Sequence, residues 1–193
     1  MKKVFLLSCL CLFMGANTSV SAHCSSSSHA YLIGKDTTKK EYKFANCDKH
    51  SVINETTVYI YSNGTRRSYI NSTILDSNGA VLESNCSNVK HIIHDQKHYF
   101  TFYKNKRYRI MDGTGKTISL KAYSKMEQVD DNRLLVRLNK KYGIITLEDK
   151  TVVPFKYQLI RQVGKNLYLT KLNGYYGFID GSHNILVKMN MTK

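Results

Sequence analysis

A four-residue phrase, Tyr142-Gly143-Ile144-Ile145, returns 34 residues later as Tyr176-Gly177-Phe178-Ile179. A fixed internal period of this length restricts the chain to repeat architectures, in which each unit buries its apolar face against its neighbours. Each copy follows a short polar segment, Leu138-Asn139-Lys140-Lys141 and Leu172-Asn173-Gly174-Tyr175. One step back lies Asn105-Lys106-Arg107-Tyr108, where Arg109 takes the place of the glycine. The same step relates Tyr157 to Tyr123, and a step of 36 carries Ile110-Met111-Asp112 back to Ile74-Leu75-Asp76. Three to four units therefore run from about residue 58 to the C-terminus.

The local signals within a unit are those of strands. Tyr168, Thr170 and Leu172 alternate with Leu167, Leu169 and Lys171, a β-branched and aromatic run at period two. Asp76-Ser77-Asn78-Gly79 and Asp112-Gly113-Thr114-Gly115 have the residues of tight turns. Gly143 and Gly177, placed inside strands, imply that a ring or a neighbouring backbone covers the bare position, and the preceding tyrosine is the obvious ring.

Aromatic-Gly-Ile/Phe-Ile, then an apolar pair, Pro154, a spacer and Tyr157, then Leu167-Tyr168-Leu169-Thr170 before Tyr175-Tyr176-Gly177-Phe178-Ile179-Asp180, resembles the WG-repeat (Trp-Gly β-repeat) family. The likeness is good over about 134–187 and degenerate over 70–133. Tyrosine stands in the defining slot, since the chain has no tryptophan. The resemblance implies an all-β chain and carries no catalytic residue. Together with the turn signals it leads us to expect tandem β-hairpin or meander repeats of about 34–36 residues, forming a curved, stacked β array. Tyr108, Tyr142, Gly143, Tyr176, Gly177, Pro154 and Tyr157 are its structural repeat positions, with Tyr142 and Tyr176 expected in packing.

The N-terminus reads as a signal peptide over residues 1–22: basic Lys2-Lys3, an apolar run from Val4 to Ala16, and small residues at Val20-Ser21-Ala22. Residues 23–57 read as a Ser-rich arm with leading strands, and 58–193 as the repeat domain. An exported protein, periplasmic or secreted, is expected, with no later stretch long enough to span a bilayer as a helix. A free N-terminal His23 could chelate copper, but the four serines that follow favour a polar arm.

Of five cysteines, Cys24, Cys47 and Cys86 follow the expected cut. An oxidising compartment leads us to expect one disulfide, with Cys47–Cys86 the preferred pairing. The run His91-Ile92-Ile93-His94-Asp95-Gln96-Lys97-His98 would gather three ligands on a helix. On a strand His91 and His94 point to opposite sides, and the strand-like Tyr99-Phe100-Thr101-Phe102-Tyr103 favours that reading. These histidines are then solvent-facing turn and edge residues, and neither metal nor cofactor is assigned.

The 29 Lys and Arg against 14 Asp and Glu give +15, and losing Lys2 and Lys3 with the signal leaves +13. Lys104, Lys106 and Arg107, with Lys140 and Lys141, recur at one point of the repeat beside Tyr103, Tyr108 and Tyr142. Equivalent points of stacked units align, so a basic, tyrosine-flanked edge is expected. Its natural target outside a bacterial inner membrane is an anionic envelope polymer or a protein partner, and export argues against nucleic acid. The rival readings are an envelope glycan hydrolase with a hidden carboxylate pair and a purely structural assembly protein. No nucleophile elbow, phosphate loop or His-Glu-x-x-His is present.

Overall fold

The computed structural model describes residues 30–44, 47, 49–119 and 121–191; the expected signal peptide, His23 and Cys24 lie outside them. The described residues form fourteen strands and no helix. β1 (Leu32–Lys43), β2 (His50–Tyr61), β3 (Arg66–Asp76), β4 (Val81–His94), β5 (Lys97–Lys104) and β6 (Arg107–Asp112) make one antiparallel sheet in chain order. β7 (Lys125–Gln128), β8 (Arg133–Leu138), β9 (Lys141–Thr146) and β10 (Thr151–Tyr157) make a second. β11 (Leu159–Gly164), β12 (Leu167–Leu172), β13 (Tyr175–Asp180) and β14 (Ile185–Met191) make a third. The junction expected after residue 57 falls inside β2, which pairs along its length with both β1 and β3.

The period governs the hydrogen-bond register as well as the residue types. Tyr108 pairs with Tyr123, Tyr142 with Tyr157 and Tyr176 with Met191, each pair 34 residues after the last. Met111–Thr117, Ile145–Thr151 and Ile179–Ile185 follow the same rule. The turn that follows β3, β6, β9 and β13 also recurs. Asp76 accepts from the backbone N–H of Asn78 and Ala80, Asp112 from Thr114 and Lys116, and Asp180 from Ser182 and Asn184. Thr146 does the same with its hydroxyl for Glu148 and Lys150. A short side-chain acceptor at this position satisfies the turn amides that no strand partner reaches.

The second sheet is buried on both faces, and this is what stacks the units. Leu134, Val136 and Ile145 pack with Ile92, Tyr99, Ile110 and Tyr123 of the preceding unit. Their neighbours Leu135 and Ile144, with Val153 and Tyr157, pack with Ile160, Tyr168 and Ile179 of the following unit. Successive strand residues point to opposite faces, so the unbroken apolar runs Leu134-Leu135-Val136 and Ile144-Ile145 serve two cores at once. Burying each such side chain stabilises the fold by about 1.5–3 kcal/mol. A third cluster, Ile74, Cys86, Phe100, Phe102 and Met111, fills the first sheet.

Gly143 is required by a close approach, but not by the preceding tyrosine. A Cβ there would lie 2.7 Å from the Val153 carbonyl oxygen and 2.8 Å from Phe155 Cδ1. The next strand supplies both, while Tyr142, half-buried, packs against the core shared by the second and third sheets. Pro154 lies on β10, an edge strand, where the register is broken between Val153 and Tyr157; a residue without an N–H is tolerated at such a place.

The expected Cys47–Cys86 disulfide is corrected: both thiols are free and buried. The Cys86 thiol donates to the Ser72 carbonyl oxygen at 3.2 Å, while Cys47 faces histidine rings. Burial first, then the Glu83 charge, pushes the Cys86 thiol up to about 11.

Candidate functional site

Three two-residue turns join the middle hairpins, and all three have a left-handed backbone. Asn105 and Lys106 have φ of 52° and 62°, Asn139 and Lys140 49° and 64°, and Asn173 and Gly174 51° and 90°. Positive φ at both positions marks the turn whose twist suits a tight hairpin, and Asn tolerates it best among residues with a side chain. The turns share one edge because short crossings tie them together. Tyr108 N–H donates to Tyr123 O and Ser124 N–H to Arg137 O, both at 2.9 Å, beside the first and second turns. Gln158 N–H donates to Lys171 O at 2.8 Å, and the Gln158 side chain accepts from Gly174 N–H at 3.0 Å in the third turn.

Below each turn one cross-strand pair recurs: Tyr103–Tyr108, Arg137–Tyr142 and Lys171–Tyr176. In the first, two rings meet at 5.0 Å. In the second and third a cation lies over the ring, at 5.5 Å for Arg137 and 5.1 Å for Lys171. Lys125 approaches Tyr142 at 5.9 Å. Tyr108, Tyr142 and Tyr176 are half-buried, each with a strand neighbour against its ring. The fully buried tyrosines are Tyr123, Tyr157 and Tyr168.

Of the basic residues expected at this edge, Lys106, Arg107 and Lys140 are exposed and Lys141 is half-buried. Lys104 is not free for a ligand: its ammonium bonds Glu83 at 2.6 Å, with both side chains largely covered. The third turn has Gly174 and Tyr175 where the second has lysines. A cleft of about 590 Å³ opens beside the edge, lined by Lys125, Glu127, Tyr142 and Arg161 among others. Its lining has one carboxylate, Glu127, paired with Lys125 at 3.6 Å. The carboxylates that titrate away from their ordinary range all move down. Asp130, against the opposing effect of its own burial, is held low by the Arg133 side chain and backbone amides, and Glu148, likewise opposed by burial, by Thr146 and Tyr99.

The expectation of three solvent-facing histidines is corrected. His94 sits beside Asp95 at 3.4 Å on one face of the β4–β5 hairpin. The hairpin turn at Asp95-Gln96, again with positive φ, puts His91 and His98 together on the other face. His91 Nε2 lies 2.9 Å from His98 Nδ1. Cys47, expected in a disulfide, and His50, at the start of β2, join them. Cys47 Sγ is 3.4 Å from His50 Nδ1 and 3.6 Å from His98 Nδ1. Cys47 and His50 are buried, His91 and His98 half-buried. Burial, then the neighbouring His98 and His50, pushes the His91 imidazole down to about 4.

A family model described as the WG containing repeat matches residues 142–176, which begin at Tyr142 and end at Tyr176. The match takes in most of β9, all of β10, β11 and β12, and the start of β13. No curated protein matches the chain.

Proposed function

We propose that this WG-repeat chain is an exported bacterial binding module whose basic, tyrosine-flanked edge contacts an anionic envelope polymer without catalysis. The observation that carries the reading is the recurrence of a cation over a half-exposed tyrosine beneath aligned turns, Arg137 on Tyr142 and Lys171 on Tyr176. A cation beside a half-exposed tyrosine offers an anionic polymer both charge and an apolar flank. Stacking gives each unit a similar face, so weak contacts add along the edge. Export rests on the N-terminal sequence pattern. The single, lysine-paired carboxylate of the adjacent cleft gives the hydrolase reading no second acid.

The test is binding of the purified protein to lipopolysaccharide and acidic wall-polymer fractions across a salt series. Exposed charges are screened over about 8 Å at physiological ionic strength, so affinity is expected to fall steeply as salt rises. Reversing Lys106, Lys140 and Lys141 to Glu should abolish it, and reversing Lys43, Lys165 and Lys188 should not. Equal loss from both sets, or no salt-sensitive binding to any fraction, overturns the reading.

A further inference from the structure

The geometry points to a closed, four-coordinate Zn²⁺ site made by Cys47, His50, His91 and His98. One ligand atom from each residue lies within 4.8 Å of the other three. Zinc–nitrogen bonds of about 2.0–2.1 Å and a zinc–sulfur bond of about 2.3 Å set tetrahedral ligand spacings near 3.3 Å for N···N and 3.6 Å for S···N. The Cys47 Sγ distances of 3.4 Å and 3.6 Å to two Nδ1 atoms fit that figure, and the 2.9 Å between His91 and His98 opens by a few tenths of an ångström. Three imidazoles and one thiolate suit zinc, and four protein ligands leave no open position for substrate, so the role is structural.

The surroundings are those of a metal site rather than a chance cluster. His50 donates its Nε2 proton to the Gly113 carbonyl oxygen at 2.9 Å. That bond fixes the tautomer whose lone pair is on Nδ1, the atom facing Cys47. Gly113 has no side chain where a Cβ would lie 3.0 Å from His98 Cβ, so the turn closes over the rings. Phe100 packs at 5.0 Å on both His50 and His91, and Phe44 at 4.9 Å on His91, walling the ligands with apolar surface. No acidic side chain pairs with these four residues among the described hydrogen bonds and ion pairs. A Zn²⁺ here would tie the Cys47-x-x-His50 segment to the β4–β5 hairpin, two parts of the chain some 40 residues apart in sequence. The Cys47 thiol gives up its proton to solvent as the Zn–S bond forms.

Metal-free protein titrated with Zn²⁺ against a chromophoric chelator is expected to take up one ion. Co²⁺ in its place should give the visible bands of a tetrahedral site and a thiolate-to-cobalt charge-transfer band in the near ultraviolet. Cys47→Ser should remove that band, and His50→Gln or His98→Gln should weaken zinc by more than about 100-fold, since changes outside the ligand set already cost about 10–100-fold. Cys24→Ser and His94→Gln should leave both readings unchanged. The wild-type spectrum alone decides whether a thiolate is bound, so a Cys47→Ser chain that fails to fold leaves the test intact. No charge-transfer band in the wild type, or a band that survives Cys47→Ser or is lost in Cys24→Ser, overturns the site.

Discussion

The buried hydroxyl of Tyr123 donates to the carboxylate of Asp149 in the turn of the next unit. Thirty-four residues on, Tyr157 and His183 Nε2 make the same link at 2.7 Å. Each turn residue is the left-handed one, with φ of 62° at Asp149 and 71° at His183. The equivalent places in the earlier turns are Gly79 and Gly115. The strained position is thus occupied by a side chain where it can anchor a tyrosine of the unit before.

Removing the anchor should cost stability in proportion to the charge involved. Tyr123→Phe leaves the ring packed but deprives Asp149 of a buried donor, a loss of roughly 1.5–3 kcal/mol for a hydrogen bond to a charged group. Tyr168 is the contrast, since its buried hydroxyl has no partner among the described residues. Tyr168→Phe should be neutral or stabilise by about 1 kcal/mol. Urea unfolding of the two variants side by side reads the difference, and equal destabilisation would refute this assignment of partners.

The second link should respond to pH. Burial first, then nearby Lys156, lowers the His183 imidazole below its ordinary value against the opposing pull of Asp180. The folded state therefore binds its proton less readily than the unfolded state, whose value is near 6.5. Stability from this group is present above about 6.5 and is lost as pH falls below it. An NMR titration should place His183 below 6.5. His183→Asn, which keeps a residue tolerant of the turn backbone, should flatten the fall in melting temperature between about pH 7 and 5.

Gly143→Ala should cost roughly 1–3 kcal/mol, because the new methyl meets a backbone oxygen and a ring rather than a flexible side-chain end. Thermal melts test it. If pairing Gly143→Ala with Phe155→Ala gives the summed cost of the two single changes, the ring is not what covers the glycine.

Cys86 should resist alkylation in the folded protein, since burial raises its thiol to about 11 and only the thiolate attacks. It should react fully once the chain is unfolded without reductant. A bridged Cys47–Cys86 peptide in the mass spectrum would contradict the free thiols.

The strands and their period were legible because they are local: alternation marks a strand, and a phrase repeated at a fixed spacing marks a unit. The basic turns were also visible, as each is a contiguous run. What was missed depends on side chains meeting from separate elements. Lys104 looked like part of the edge until Glu83, two strands' reach away in sequence, proved to hold its charge. Asp95-Gln96-Lys97 reads as a hairpin turn from the sequence, and His91, His94 and His98 then read as solvent-facing turn and edge residues. The signal lay in the two-residue turn at Asp95-Gln96, which places His91 and His98 diagonally on one face, and in Cys47-x-x-His50 upstream. With Cys24 in the Ser-rich arm, Cys47 and Cys86 were left to pair, but elimination says nothing of which way a thiol points.

Every sheet of the described residues runs in chain order, so that each strand bonds only strands next to it in sequence. Pairings therefore close over short stretches of chain, the condition under which β proteins fold fastest. The second sheet is apolar on both faces and is covered by residues of the first sheet on one side and of the third on the other. The stability of the middle sheet is therefore shared with both neighbours, so a core change in either flanking sheet is felt in it.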